Sequence, residues 1–240
     1  MSKLLRADLK TLIKWKPTIV TVISMLLLPA LFITMNVIND TPALEGIFMI
    51  LGVVMMFLTM IIGLFIYRDY SQNTIRNKIT VGHKRSSVYF SKVLIISVFE
   101  LVSVVLFLGS SVLISFLMRK LGGTDWSTFF RNFAVILASY LVIVSITALL
   151  SINIRSAIGA VLPMIFLWAF FFIGTFGLEF ATLNDNEAII DLFRILPVLS
   201  ITSLESFAPE FLGEQFTISG MTSLLMFTLG CFWFKNSDLN

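Results

Sequence analysis

The chain has 240 residues, of which 58% are hydrophobic and 13% are charged, and its formal net charge is +3. Several apolar runs reach about 20 residues, the length that crosses a bilayer core, so the sequence predicts an integral membrane protein. The few residues between these runs exclude a soluble catalytic domain of the usual ~100 residues, and residues 1–240 are expected to form one transmembrane domain.

Residues 1–16 predict an amphipathic helix at the membrane surface. Its cations fall on one side, and apolar residues at helical spacing form the other: Leu5, Leu9, Leu12 and Ile13. Such a helix places its cations among the anionic head groups of the cytoplasmic leaflet. Pro17 ends this pattern, and the apolar run from Thr18 is too long for a secretory signal, so we expect a retained span.

Six spans follow, and they predict an all-α integral membrane protein. Their expected boundaries are 18–37, 47–67, 93–118, 132–152, 157–178 and 218–234. Thirteen of the 17 lysines and arginines fall in segments that lie on one side if both termini are cytoplasmic. Positive charge near span ends marks the cytoplasmic side, so we expect a multi-pass protein with its N- and C-termini inside the cell.

The polar segment at residues 68–92 is expected on the cytoplasmic side. Ser71 is predicted to cap a short helix that ends at Gly82, with Ile75 and Ile79 on one face at i, i+4. A short helix of this kind could fill a groove on a soluble partner. The alternative is an ordinary solvated loop.

Residues 179–217 are neither a span nor a simple loop. A helix is predicted from 184–187 to Ile195, stopped by Pro197, and a second from Ser200 to Phe207, interrupted by Pro209. Each is too short to cross a bilayer. Together they suggest extracellular re-entrant or interfacial helices between the fifth and sixth spans.

The usual catalytic and metal-binding patterns are absent from the sequence. The single histidine, His83, lies in the polar segment, which excludes a Ser/His pair or a His-ligated metal at membrane depth. Gly82 to Ser86 lacks the spacing of a phosphate-binding loop. We therefore expect that this chain is not an enzyme, has no ATP site of its own and binds no metal.

Glu100 is the one acidic residue within a predicted span. Placing a carboxylate there costs roughly 2 to 3.5 kcal/mol on insertion scales, so we expect a partner or a water-filled cavity. Ser97 and Ser103 share its helix face, with Ser110, Ser111 and Ser115 further along. These residues could line a pathway, or they could join helices through hydrogen bonds, as a weaker stripe of Tyr140, Thr147 and Ser151 could.

Two local motifs resemble those of type-2 ABC transporter permeases. The run from Asp69 to Arg85, followed by 89–92 (Tyr-Phe-Ser-Lys), is similar to the segment after the second span in that family, with Asn73 where glycine is common. The end of the chain, 232–239, resembles the family's aromatic-Lys-x-x-Asp finish. The layout of an N-terminal helix, six spans and short helices before the sixth is also similar.

This resemblance implies a permease that works with two copies of a separate ATP-binding subunit, which carries the ATP and Mg²⁺, and with a second copy of itself or a paralogous permease. It assigns the coupling helix to Asn73, Thr74, Ile75, Arg76, Lys78 and Ile79, and the connecting helix beside it to residues 3–16. ATP-driven closure of the partner would shift the dimer between inward-open and outward-open states. Membrane lipids are expected partners, and nucleic acid is not.

Within the family, the small size and the composition resemble permeases of Gram-positive bacteria. Those permeases export amphipathic peptides such as lantibiotics or phenol-soluble modulins, or confer immunity to such antimicrobial peptides. The alternative function is an ion-coupled secondary transporter or channel that uses Glu100. A sensor or assembly protein without transport activity is a third possibility.

Overall fold

The structure is a computed structural model of the whole chain. It describes residues 2–39, 44, 46–118, 125–184, 187–196 and 212–237. Within these ranges there is no β-strand, and the helices in chain order are α1 (Ser2–Ile13), α2 (Lys16–Ile38), α3 (Ile47–Ser71), α4 (Thr74–Thr80), α5 (Arg85–Leu117), α6 (Trp126–Asn153), α7 (Ala157–Leu183), α8 (Glu187–Ile195) and α9 (Leu212–Asn236).

Six of these helices are long and apolar enough to cross a membrane: α2, α3, α5, α6, α7 and α9. The predicted all-α membrane fold is confirmed at this level. All six of these helices are longer than the spans expected from hydropathy, and α5 begins at Arg85, eight residues before its predicted apolar run. Backbone hydrogen bonds continue through polar residues at the end of a span, where hydropathy no longer marks the helix.

The helices α3, α5 and α6 form the centre of the bundle. In an apolar stretch of 18 residues from each of these helices, 56% to 61% is buried inside the bundle. The corresponding share in α2, α7 and α9 is only 17% to 33%. The outer helices pack on the central ones, α9 against α6, α7 against α3 and α2 against α5. Their outward faces carry large apolar side chains such as Leu31, Phe176 and Leu224, which suits contact with lipid tails.

The α3–α7 crossing brings two backbones together at Gly63. A Cβ atom added to Gly63 would overlap the backbone of Ala160. Small residues at such crossings let membrane helices approach closely, which gains van der Waals contact where lipid provides no hydrophobic driving force between helices. The crossing therefore depends on the missing side chain at this position.

The polar segment after α3 folds into α4, as predicted, but its start differs from the prediction. Ser71 is the last residue of α3, and its hydroxyl donates to the Arg68 carbonyl 2.9 Å away, so the expectation that Ser71 caps the short helix is wrong. The reason is that α3 continues four residues past its apolar run. Asn73 precedes α4 instead, with a left-handed φ of 54°.

The predicted end of the short helix at Gly82 is confirmed. Gly82 has a φ of 100°, which glycine adopts without steric cost. Its amide donates to the Ile79 carbonyl at 3.0 Å, and the His83 amide donates to the Lys78 carbonyl at 3.2 Å. This pair of bonds is the Schellman motif that closes many helices.

The segment between α7 and α9 is described in part. The first predicted short helix is present as α8, which contacts both α7 and α9. The second, predicted from Ser200 to Phe207, lies outside the described residues.

Candidate functional site

The helix α4 has one face fixed to the bundle and one face open. Ile75 has an exposed fraction of 0%, and Ile79 is half-buried against the core. Arg76, Asn77 and the preceding Asn73 are exposed, while Thr74 and Lys78 are half-buried. Ile75 therefore anchors α4 to its own chain, and the open face consists of polar side chains.

Four charged side chains from four helices meet beside α4: Asp8 of α1, Asp69 of α3, Lys78 of α4 and Lys92 of α5. We call them the charge cluster. The Lys78 ammonium donates to Asp8, and the Lys92 ammonium donates to Asp69. Lys92 Nζ also lies 3.2 Å from Asp8 Oδ1, and the Ser91 hydroxyl donates to Asp8 Oδ2 across 3.3 Å.

The charge cluster is buried and electrically balanced. Asp8, Asp69 and Lys92 are at most 4% exposed, and buried charges persist only when they are paired and hydrogen-bonded. Burial alone would raise the pKa of Asp8, but Lys92 and Lys78 together hold that pKa below its ordinary value. Burial, followed by repulsion from Lys92, lowers the pKa of Lys78. The surroundings thus favour the charged form of Asp8 and disfavour the charged form of Lys78.

The N-terminal helix packs on the bundle through a face centred on Asp8. Among its described side chains, Leu4, Asp8 and Leu12, four residues apart, are buried. Of the predicted apolar side, Leu5 and Leu9 are half-buried against the core, Leu12 is buried, and Ile13 is 67% exposed. Asp8 thus lies in the buried face of α1, where it contacts both lysines of the charge cluster.

A cationic cleft opens where α1 turns into α2. Its lining residues are Lys10, Thr11, Lys14, Trp15, Lys16 and Arg68. The Arg68 guanidinium lies over the rings of Trp15 and Phe65, 5.3 Å and 4.8 Å from their centroids, and Trp15 packs on Phe65. These aromatic contacts hold the arginine at the wall of the cleft.

Two arginines hold the end of α9 at this same end of the bundle. Arg85 Nη1 donates to the carbonyls of Lys235 and Ser237, at 3.1 Å and 2.7 Å, and Arg155 donates to the Ser237 hydroxyl. Cations suit a helix C-terminus because its last carbonyls lack partners within the helix.

Glu100 lies midway along α5 and is fully buried. Neither carboxylate oxygen has a hydrogen-bond partner in the structure. The nearby Tyr140 hydroxyl donates to the Ser97 carbonyl, 2.8 Å away, and so is used elsewhere. The described residues therefore provide no hydrogen-bond partner for Glu100, and the alternative expectation, a water-filled cavity, stays a prediction.

The serine stripe makes few bonds between helices. The hydroxyls of Ser97, Ser103 and Ser111 donate to carbonyls of their own helix, one turn back. Only Ser110 in the predicted set reaches another helix, through the Met25 carbonyl at 3.2 Å, and the second stripe adds the Tyr140 bond. A serine hydroxyl in an apolar span donates to a carbonyl one turn back in its own helix when no other acceptor is near.

Sequence reasoning missed the charge cluster as a unit. The sequence places Lys92 at the entry to the third span and Asp8 and Asp69 in cytoplasmic segments, with no pairing between them. The available signal was Asp8 itself, a carboxylate four residues from both Leu4 and Leu12 on one helical face. Its partners Lys78, Ser91 and Lys92 lie 70 to 84 residues away along the chain, so spacing alone could not identify them.

The described residues contain no group of histidine, cysteine and carboxylate side chains that could hold a metal ion. Comparison with protein-family models finds no match. Comparison with curated proteins finds no significant similarity. The function is therefore argued from the geometry above.

Proposed function

We propose that this chain is the membrane-spanning permease subunit of an ATP-driven exporter and is not itself an enzyme. It would dimerise with a second copy or a paralogous permease, and two copies of a separate ATP-binding subunit would dock on α4 and carry the ATP and Mg²⁺. In this proposal the chain lies in the cell membrane with both termini in the cytoplasm.

The observation that carries the proposal is that one face of α4 is fixed to the bundle while its other face is exposed. A short helix that transmits force must be fixed to its own bundle and must offer an exposed face to its partner. Ile75 and the Lys78–Asp8 contact provide the first condition, and the exposed Arg76 and Asn77 provide the second. The left-handed Asn73 supports the resemblance to coupling segments with glycine there, because glycine and asparagine tolerate that backbone.

The carboxylate of Asp8 also connects α4 to the N-terminal helix α1. Because Asp8 binds Lys78 and also lies beside Lys92, movement of α4 would be transmitted to α1 and α5 together. This arrangement supports the role of α1 as the connecting helix beside the coupling helix, and the half-buried Leu5 and Leu9 add apolar contact with the core.

The test is purification of the full chain from native membranes in mild detergent. We expect a stoichiometric subunit that carries a G-x-x-x-x-G-K-[ST] loop, identified by mass spectrometry, and ATP hydrolysis by the complex. Arg76→Glu should release that subunit, because it reverses a charge on the open face of α4. Lys84→Glu is the matched control, since Lys84 is an exposed cation of the same segment outside α4.

Ile75 is unsuitable for this test because its burial makes any polar substitution a folding defect. Equal retention of the ATP-binding subunit by the Arg76→Glu and wild-type chains would move the docking site elsewhere. Absence of such a subunit from intact native membranes would overturn the proposal.

For the cargo, we propose amphipathic or antimicrobial-type peptides, on the subfamily resemblance and the apolar character of the bundle. Transport of labelled peptide into inverted vesicles, or loss of peptide resistance on deletion, tests this assignment. Unchanged peptide resistance and unchanged vesicle transport would exclude that cargo class.

A second candidate, ion-coupled transport or a channel, is favoured by one observation: the buried Glu100 carboxyl without a hydrogen-bond partner. Isolated ionisable groups inside a membrane often mark ion or proton pathways. Ion flux through the pure chain in liposomes, abolished by Glu100→Gln, would select this function over the permease.

A further inference from the structure

The cationic cleft between α1 and α2 has the features of an anion site. It has a volume of about 450 Å³, and four of its six lining residues are cations: Lys10, Lys14, Lys16 and Arg68. No carboxylate lines it. Asp8 and Asp69 are bound to Lys78 and Lys92 in the charge cluster, and Asp69 also forms a long ion pair with Arg68. The three lysines of the cleft have no ion pair among the described residues, so the cleft keeps an excess of positive charge.

Arg68 places a guanidinium at the wall of the cleft on a side chain that is 22% exposed. Its Nε and Nη2 atoms are buried without a hydrogen-bond partner, and Nη2 lies 3.7 Å from Asp69 Oδ1, too far for a hydrogen bond, so the guanidinium keeps donors to offer. Unsatisfied buried donors are costly. A phosphate group offers acceptor oxygens spaced for the planar fork of a guanidinium, and the rings of Trp15 and Phe65 already hold that guanidinium at the cleft wall.

The position of the cleft indicates a lipid as the source of that phosphate. Lys16 is the first residue of the spanning helix α2, so the cleft lies where a head group would lie. One turn further into α2, Ile19, Val20 and Ile23 are 50% to 66% exposed. An acyl chain could follow these side chains while the phosphate occupies the cleft.

We propose that the cleft formed by Lys10, Lys14, Lys16 and Arg68 binds the phosphate of an anionic membrane phospholipid whose acyl chains lie along the exposed face of α2. The site is independent of the proposed transport function. It would hold the turn between α1 and α2 at the membrane surface, beside the charge cluster.

The experiment measures lipid retention by the full chain in detergent. Native mass spectrometry is used to titrate phosphatidylglycerol, with phosphatidylcholine as the neutral comparison. The test variant is Lys10→Gln/Lys14→Gln, which removes two exposed cations of the cleft. The matched control is Arg76→Gln/Lys84→Gln, which removes two exposed cations outside the cleft. Arg68→Gln is a third variant.

We expect the wild type to prefer phosphatidylglycerol, the cleft variant to bind it roughly 30-fold more weakly and the control less than about 3-fold more weakly. Arg68→Gln should also lose the preference. Equal losses in the two double variants would show diffuse charge attraction and overturn the site.

A further arm separates lipid from soluble anion. Inorganic phosphate at concentrations up to roughly a hundred times that of the lipid should not displace phosphatidylglycerol, because the acyl chains contribute to lipid binding. Displacement by phosphate would show that the cleft binds a free anion, which would overturn the lipid assignment. Wild-type retention by the cleft variant would overturn the site itself.

Discussion

The Lys92 ammonium is hydrogen-bonded to Asp69 and lies 3.2 Å from Asp8, so one lysine in α5 joins the end of α3 to the N-terminal helix. The same Asp8 accepts from Lys78 of α4. Four helices are thus joined through two carboxylates and two ammonium groups. These four groups are expected to contribute unequally to the stability of the protein.

Asp8→Asn should destabilise the protein far more than Lys78→Gln. Removing the Asp8 charge leaves the buried Lys92 and the half-buried Lys78 with Asp69 alone, and breaking a buried ion pair from one side costs about 3 kcal/mol. Lys78→Gln removes a charge that burial and Lys92 both disfavour, so a change below about 1 kcal/mol is expected. Thermal unfolding of the full chain in detergent measures both. Equal losses would contradict this ranking.

The stabilisation from Asp8 should be lost on the acid side only below the ordinary pKa of a carboxyl group. The folded pKa of Asp8 lies below its ordinary value of 3.8, so the stabilisation is complete above the unfolded value and is lost as pH falls through the folded value. The difference in stability between the wild type and Asp8→Asn should therefore be constant from about pH 5 to 7 and shrink below about pH 4. A difference that shrinks already between pH 7 and 5 would contradict this.

Glu100→Gln should leave the melting temperature within about 2 °C of the wild type. The Glu100 oxygens have no hydrogen-bond partner to lose, and the amide removes the cost of a charge within the span. Asp69→Asn is the matched control, the same type of acid-to-amide change at a carboxylate bound to Lys92, and should melt several degrees lower. If both variants lose the same stability, Glu100 has a charge partner in the assembled protein.

Gly63→Ala should lower stability by about 1 to 3 kcal/mol, because its new Cβ overlaps the Ala160 backbone at the α3–α7 crossing. Gly109→Ala is the matched control in another spanning helix, where the new Cβ meets nothing within 4 Å. That change should be neutral or slightly stabilising. Detergent unfolding curves of the two variants provide the comparison, and identical curves would place the crossing elsewhere.

The parts of the fold that depend on local sequence were predictable. Six apolar runs, the helix before Pro197 and the turn at Gly82 each follow from hydropathy or backbone preference over a few residues. The cap at Ser71 was not, because hydropathy does not show where a helix ends once it leaves the apolar region.

The candidate site was only partly predictable. The position of α4 follows from its flanking polar residues, but the burial of Ile75 in its own chain does not, since an apolar residue at i, i+4 suits a partner's groove and the chain's own core equally well. The pairing of Asp8 with Lys78 and Lys92 depends on how distant helices pack. Nothing in the sequence near Glu100 indicates whether a partner reaches it.

The hydrogen bonds from Arg85 and Arg155 to Ser237 hold one end of α9 in place. This helix has 25 residues and is therefore roughly 37 Å long, so a tilt of roughly 10° about the held end would displace the opposite end by roughly 6 Å. The same tilt would move the residues next to Ser237 by less than about 1 Å. The two arginines thus fix the end of α9 at which a change of inclination produces the smallest displacement.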